Sequence, residues 1–151
     1  MLLKVVELCE TIAGMHPELD RDLLVTAAIL HDIGKIAGYL ATASFEMTDQ
    51  GRFLGHISLG ARQVQERLED IPDFPKEAGM KLVHMIMAHH GNVVKGSGKG
   101  LGLKIPEAAA LYYANLADAE ITGFLQAKSA MKDVKDTWVY IRDVGNEVYM
   151  G

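Results

Sequence analysis

Apolar residues recur at helical spacing along most of this chain. Leu2, Val5, Val6, Cys9 and Ile12 fall at i, i+3, i+4, i+7 and i+10, one stripe of an amphipathic helix that should stop near Gly14. Pro17 and the charged stretch from Glu18 to Asp22 make the next turn, with carboxylates suited to a helix N-terminus. Leu23 to Leu30 reads LLVTAAIL, apolar on every side. That length also suits a buried strand, but continuation through His31 and Asp32 and the alanine pair favour a central, fully buried helix.

Gly34 and Gly38 loosen that helix, and residues 38–53 lose periodicity, which predicts a long loop and the most mobile segment of the chain. A helix is expected from Leu54 to Leu68, followed by a turn containing Pro72 and Pro75. Pro75 suits the first position of a helix running to His90, with Gly91 as its stop. Residues 91–104 hold five glycines and three lysines and read as a loop. Pro106 opens another helix, to about residue 127, with Glu107 in its first turn. A short helix or turn over 129–136 precedes the tail WVYIRDVGNEVYMG, which fits helix or strand. With no repeat and no linker, the pattern predicts an all-α bundle of five to seven helices forming a single domain over 1–151.

Composition narrows the class. The chain has 151 residues, 49% apolar and 23% charged, enough for one real core and incompatible with disorder or a low-complexity fibre. Its one cysteine, Cys9, allows no internal disulfide. No apolar run reaches the roughly 18–20 residues of a membrane span, and the N-terminus lacks the pattern of a secretory leader. A cytoplasmic, membrane-free protein is expected. The net charge of −5 argues against a broad nucleic-acid-coating surface but leaves room for a local basic cleft.

The chemistry concentrates in His31, His56, His84, His89 and His90. His31 is followed at once by Asp32, and a buried carboxylate beside an imidazole is costly unless paired or bound to a cation. Taken alone, the pair equally suits a helix C-terminal histidine beside a capping aspartate. His89 and His90 end a helix on its apolar stripe (Leu82, Ile86, His89), and Asp118 sits inside the otherwise apolar LYYANLADAEI. Imidazoles and carboxylates drawn from several helices suit a mixed nitrogen–oxygen metal site. Neighbouring helical residues point about 100° apart, so His31 and Asp32 can straddle a crevice, with Asp32 placed to bridge two ions.

The segments HDIGK (31–35), GHISLG (55–60), HMIMAHHG (84–91) and NLADAEI (115–121), in that order, resemble the HD superfamily of metal-dependent phosphohydrolases. The likeness runs over about residues 1–125. HHGNVVKGSGKGLGLKIPEAA and the IRDVGNEVY tail are further similar to the HD domain of bacterial 3′-to-5′ exoribonucleases that carry an OB-fold ahead of it. The resemblance implies an HD-domain helical bundle with a long loop after the HD helix. It implies one or two divalent transition metal ions, with Mn, Fe, Ni, Co and Zn undistinguished. His31, Asp32 and Asp118 would ligate one ion; Asp32, His56 and the His89–His90 pair would serve a second, with His89 not told apart from His90.

By the same resemblance Asp32 and Lys35 carry catalysis, Lys35 facing phosphate oxygens; a solvated lysine at a helix end is the plainer reading. His84 would be a substrate or supporting contact, or a packed structural histidine. Lys95 and Lys99, with Lys104, would draw an anionic substrate to the metal centre, unless the loop is simply solvated. KGSGKG is not a phosphate-cradling P-loop, because GxxxxGK[ST] is absent and no strand precedes it. His16 reads as a surface residue, Cys9 as core, and Glu66, Glu69, Asp70 and Asp73 as a solvent face.

One departure stands out. HD domains take a first histidine ligand from the helix before the HD helix, whereas here that position is Met1 and no histidine precedes His16. The expectation is a chain that lacks the start of its first helix and any N-terminal domain, with a weakened first metal site. The reaction implied is hydrolysis of a phosphoester or phosphodiester in a nucleotide, or at an RNA or DNA 3′ end, by metal-activated water. Without an OB-fold as single-strand platform, processive RNA degradation by this chain alone is not expected. A non-catalytic nucleotide-binding module with an incomplete metal site is the alternative, and a mixed-valent di-iron oxygenase a third, disfavoured by Lys35 and the basic loop. An apolar patch left by an incomplete first helix would support a homodimer.

Overall fold

The computed structural model describes residues 2–41, 46–91, 101–131, 136–142 and 144–151. Among them six helices precede one hairpin: α1 (Leu2–Met15), α2 (Arg21–Leu30), the single turn α3 (Lys35–Gly38), α4 (Asp49–Glu69), α5 (Lys76–Ala88), α6 (Pro106–Ala130), β1 (Trp138–Ile141) and β2 (Asn146–Tyr149). The helical class and helix number are as the periodicity predicts. No helix among these residues is long and apolar enough to cross a membrane.

The stripe on α1 buries Val5, Cys9 and Ala13, and these meet Leu24, Ala27 and Ala28 of α2, Met85 and Ile86 of α5 and Leu111 of α6. Burying each large side chain of this set is worth about 1.5–3 kcal/mol. The α2 helix is less enclosed than LLVTAAIL suggests, since Ile29 is half exposed while only Leu24, Ala27 and Ala28 are fully buried. Two small alanines let neighbouring helices approach on one face, and the other face turns to solvent. Asp20 caps α2 by accepting the Leu23 N–H, and its own N–H is taken by buried Glu107 at 2.9 Å, which ties the starts of α2 and α6 together.

The stretch after the HD dipeptide differs from the expected long loop. α2 stops at Leu30 with His31 as its C-cap, and a tight turn leads into α3. α4 begins at Asp49 rather than Leu54, because Thr48 caps it by accepting the Gly51 N–H at 2.9 Å. Gly51 also lies so close to Gly38 that a Cβ there would overlap the Gly38 backbone. An antiparallel bridge joins Tyr39 to Met47, while residues 42–45 of the segment expected to be mobile lie outside the described residues. Polar TDQGRF carries no apolar stripe, so this helix start rests on capping and backbone packing that periodicity does not register.

Pro75 is the N-cap of α5, which ends at Ala88, so His89 is a C-cap and His90 lies in a turn. α6 extends to Ala130; residues 132–135 of the expected short helix lie outside the described residues. The tail takes the strand alternative. β1 and β2 pair antiparallel with Val139 opposite Val148, Ile141 and Val148 are buried, and Gly145 turns the chain at φ 73°.

Candidate metal centre

The HD turn is built from three backbone constraints. Ile33 N–H donates to Leu30 O and Lys35 N–H to Asp32 O, closing the turn that follows α2. Buried Gly34 then lies against the backbone of α4, where a Cβ would overlap the His56 carbonyl and the Gly60 amide. The turn therefore seats directly on the helix that carries His56.

α4 is interrupted at that point. Gly55 takes φ 70° and ψ 156° inside it, a conformation essentially reserved for glycine. The break starts a new helical segment at His56 and places its Nε2 3.5 Å from Asp32 Oδ1. At the end of α5, buried His89 donates its Nδ1–H to Ile86 O at 2.6 Å, and its Nε2 lies 3.9 Å from Asp32 Oδ1. His31, also buried, donates its Nδ1–H to Ala28 O at 2.7 Å and sets Nε2 3.4 Å from Asp32 Oδ2.

A carbonyl can only accept, so both bonds take an Nδ1–H, and Nε2 is the nitrogen each ring presents towards Asp32. The exposed His90 completes the group, its Nε2 3.4 Å from that of His56. The ligand atoms of His56, His89 and His90 all lie within 4.8 Å of one another.

Electrostatics agrees with that geometry. Partial burial pushes the Asp32 carboxyl up, but hydrogen bonds and charge from His31 and Lys35 outweigh it and hold Asp32 well below the usual carboxylate range. Lys35 Nζ is 2.6 Å from Asp32 Oδ2. Burial lowers His56, His90 and, to about 3, His89. At neutral pH Asp32 is thus a carboxylate near the neutral imidazoles of His56, His89 and His90, the protonation a cation requires. Asp32 Oδ1 and His89 Nε2 are buried with no hydrogen-bond partner. Leaving such groups unpaired costs about 1–3 kcal/mol each, and a divalent cation satisfies both at once. The residues present fit a metal ion.

Asp118 and His84 have other partners among the described contacts. Asp118 is buried in α6; its Oδ1 accepts from Thr122 Oγ1 at 3.2 Å and faces Lys4 Nζ at 4.0 Å, and its Oδ2 has no partner. Its described contacts do not join it to Asp32 or the histidines. His84 accepts the Lys104 N–H at its Nε2 (3.2 Å) and lines a separate groove between α4 and α5. Lys95 and Lys99 lie outside the described residues.

A profile of the HD domain family matches residues 2–121. This chain belongs to the HD domain family. Among curated relatives, proteins named 3′-5′ exoribonuclease YhaM from Bacillus licheniformis and Bacillus subtilis strain 168 are each 34% identical over 131 residues, which is 87% of this chain and 41% of theirs. The protein of that name from Bacillus velezensis is 35% identical over 120 residues, covering 80% of this chain and 37% of its own length. The chain thus spans about two fifths of the length of these relatives. No solved structure matches it.

Sequence reasoning passed over three residues that shape the centre of this HD domain: Gly34, Gly55 and Thr48. Gly34 was read only as loosening the HD helix, and Gly55 stood inside the helix expected from Leu54, within GHISLG, with no role of its own. Lys4, which faces Asp118, carried no signal at all.

Proposed function

We propose that this HD domain is a metal-dependent phosphohydrolase that cleaves a phosphodiester of a nucleotide or of an RNA 3′ end in the cytoplasm. The observation that carries the reading is the convergence of His31, His56 and His89 on Asp32, with His90 against His56, and with Asp32 Oδ1 and His89 Nε2 buried and unpaired. The YhaM names of the relatives favour RNA over other phosphodiesters.

Asp32, His56, His89 and His90 would hold the principal ion, with His31 beside them and Asp118 serving a second. A bound divalent ion supplies an activated water nucleophile and polarises a phosphoryl oxygen. Asp32 stays ionised through the working pH range. His31 and His89 are held in one ring orientation by the carbonyls of Ala28 and Ile86, so neither ring need reorganise as substrate arrives. Lys35, beside Asp32, faces the same space and offsets the charge on phosphate oxygens.

A second reading has its own observation: α1 brings Lys4, an ammonium, toward Asp118, as suits a module that binds a nucleotide without turning it over. The deciding experiment incubates the protein with manganese and a 5′-labelled single-stranded RNA, beside bis-p-nitrophenyl phosphate. Stepwise shortening from the 3′ end, lost in Asp32→Ala, is the expected result. Metal-loaded protein that binds RNA without shortening it would favour the binding module.

A further inference from the structure

An open groove of about 770 Å³ runs between α4 and α5. Its floor is apolar, formed by Leu68, Phe74, Met80, Val83 and Met87, and Met80 is 67% exposed. Glu69, Asp73 and Lys76 stand at its edge. Neighbouring acids are matched to cations three or four residues away: Glu66 with Arg62, Asp70 with Arg67 and Glu77 with Lys81. Glu69 and Asp73 have no such partner among the described residues. The rim is therefore net acidic, which suits an apolar segment carrying a cation and repels a polyphosphate chain.

A complementary element is present in the same molecule. All the buried residues of α6 lie between Glu107 and Asp118, so the helix from Ala119 to Ala130 runs on with none. Ile121, Phe124, Leu125 and Lys128 fall at i, i+3, i+4 and i+7 of that extension, on one face. Ile121 and Leu125 are 60% and 61% exposed. An amphipathic helix with anchors at this spacing is what an apolar groove between two helices accepts.

We infer that the α4–α5 groove receives the Ile121–Lys128 face of α6 from a second copy of this chain, with Lys128 meeting Glu69 and Asp73. Two copies exchanging the contact reciprocally form a closed dimer joined by two equivalent helix-in-groove seats. The inference does not depend on metal binding or on the reaction proposed above.

The test is sedimentation of the full chain from micromolar to millimolar concentration, with circular dichroism to check that each variant stays helical. Native protein should sediment as a dimer. Met80→Glu in the groove and Leu125→Glu on the helix should each weaken self-association by at least about tenfold. Mixing them leaves one intact groove facing one intact helix, so the mixture should associate more tightly than either variant alone. A native monomer throughout the range, variants that dimerise as well as native, or a mixture that stays monomeric would each overturn the inference. A native monomer whose RNA affinity falls in Met80→Glu would assign the groove to nucleic acid instead.

Discussion

His89 Nε2 and Asp32 Oδ1 face each other at 3.9 Å, both buried and neither hydrogen-bonded. Two acceptors in that relation stabilise nothing by themselves and become favourable only around a cation. Manganese or zinc at about a hundred times its Kd should therefore stabilise the native protein by roughly 2.7 kcal/mol. Thermal unfolding with and without EDTA measures this. Asp32→Ala should remove the metal-dependent shift, and an unchanged shift would mean that the ion binds elsewhere.

Lys35, itself partly exposed, holds Asp32 Oδ2 at 2.6 Å. Lys35→Gln should lower turnover of a phosphodiester by about 10²–10³-fold, the usual effect of losing one group that stabilises developing oxyanion charge, while metal-dependent thermal stabilisation persists. Loss of both together would mark Lys35 as part of the metal centre's architecture rather than of its chemistry.

Gly55 has open space around its Cα but a backbone conformation that L-residues avoid. Gly55→Ala should cost about 1–3 kcal/mol in urea denaturation through backbone strain alone. Because relief of that strain rotates His56 away from Asp32, metal affinity should fall as well. Gly123→Ala is the matched control: that glycine also has open surroundings but no positive φ, so its substitution should leave metal affinity unchanged.

At Gly34 the obstacle is steric. An added Cβ overlaps the α4 backbone at His56 and Gly60, and Gly34→Ala should destabilise by at least the roughly 1–3 kcal/mol typical of overpacking. Native-like stability in chemical denaturation would show that the HD turn and α4 can separate without cost.

The metal-free protein should lose stability as pH falls. Burial lowers His89 from 6.5 to about 3, so between those values the unfolded chain binds a proton that the folded chain refuses. Its contribution is present in full above pH 6.5 and is lost as pH falls toward about 3, at no more than about 1.4 kcal/mol per pH unit. His56 and His90 shift in the same direction. Denaturation in EDTA at stepwise lower pH should show this slope, and His89→Gln should flatten it; a native protein indifferent to pH across that window would contradict the burial of a neutral imidazole.

Helix positions were legible wherever an apolar stripe met a cap or a proline. α1, α5 and α6 follow their stripes closely, with Pro75 and Pro106 at or beside the starts. The start of α4 was hidden because Thr48 and the Gly38–Gly51 contact, not apolar period, create it. The tail stayed ambiguous because WVYI and NEVY are too short to separate strand from helix until they pair.

The chain's own pattern determined the all-α class, the candidate ligand types and their order, since periodic burial and capping act within a few residues. Tertiary structure decided which of those residues meet. It brought His31, His56 and His89 to Asp32, and His90 to His56, through a glycine kink and a glycine contact, and it directed Nε2 of His31 and His89 inward by engaging Nδ1 with local carbonyls. It also placed Asp118 beside Lys4 and Thr122. Such convergence depends on how helices distant in sequence pack, and no local spacing encodes the distance between two side chains on different helices.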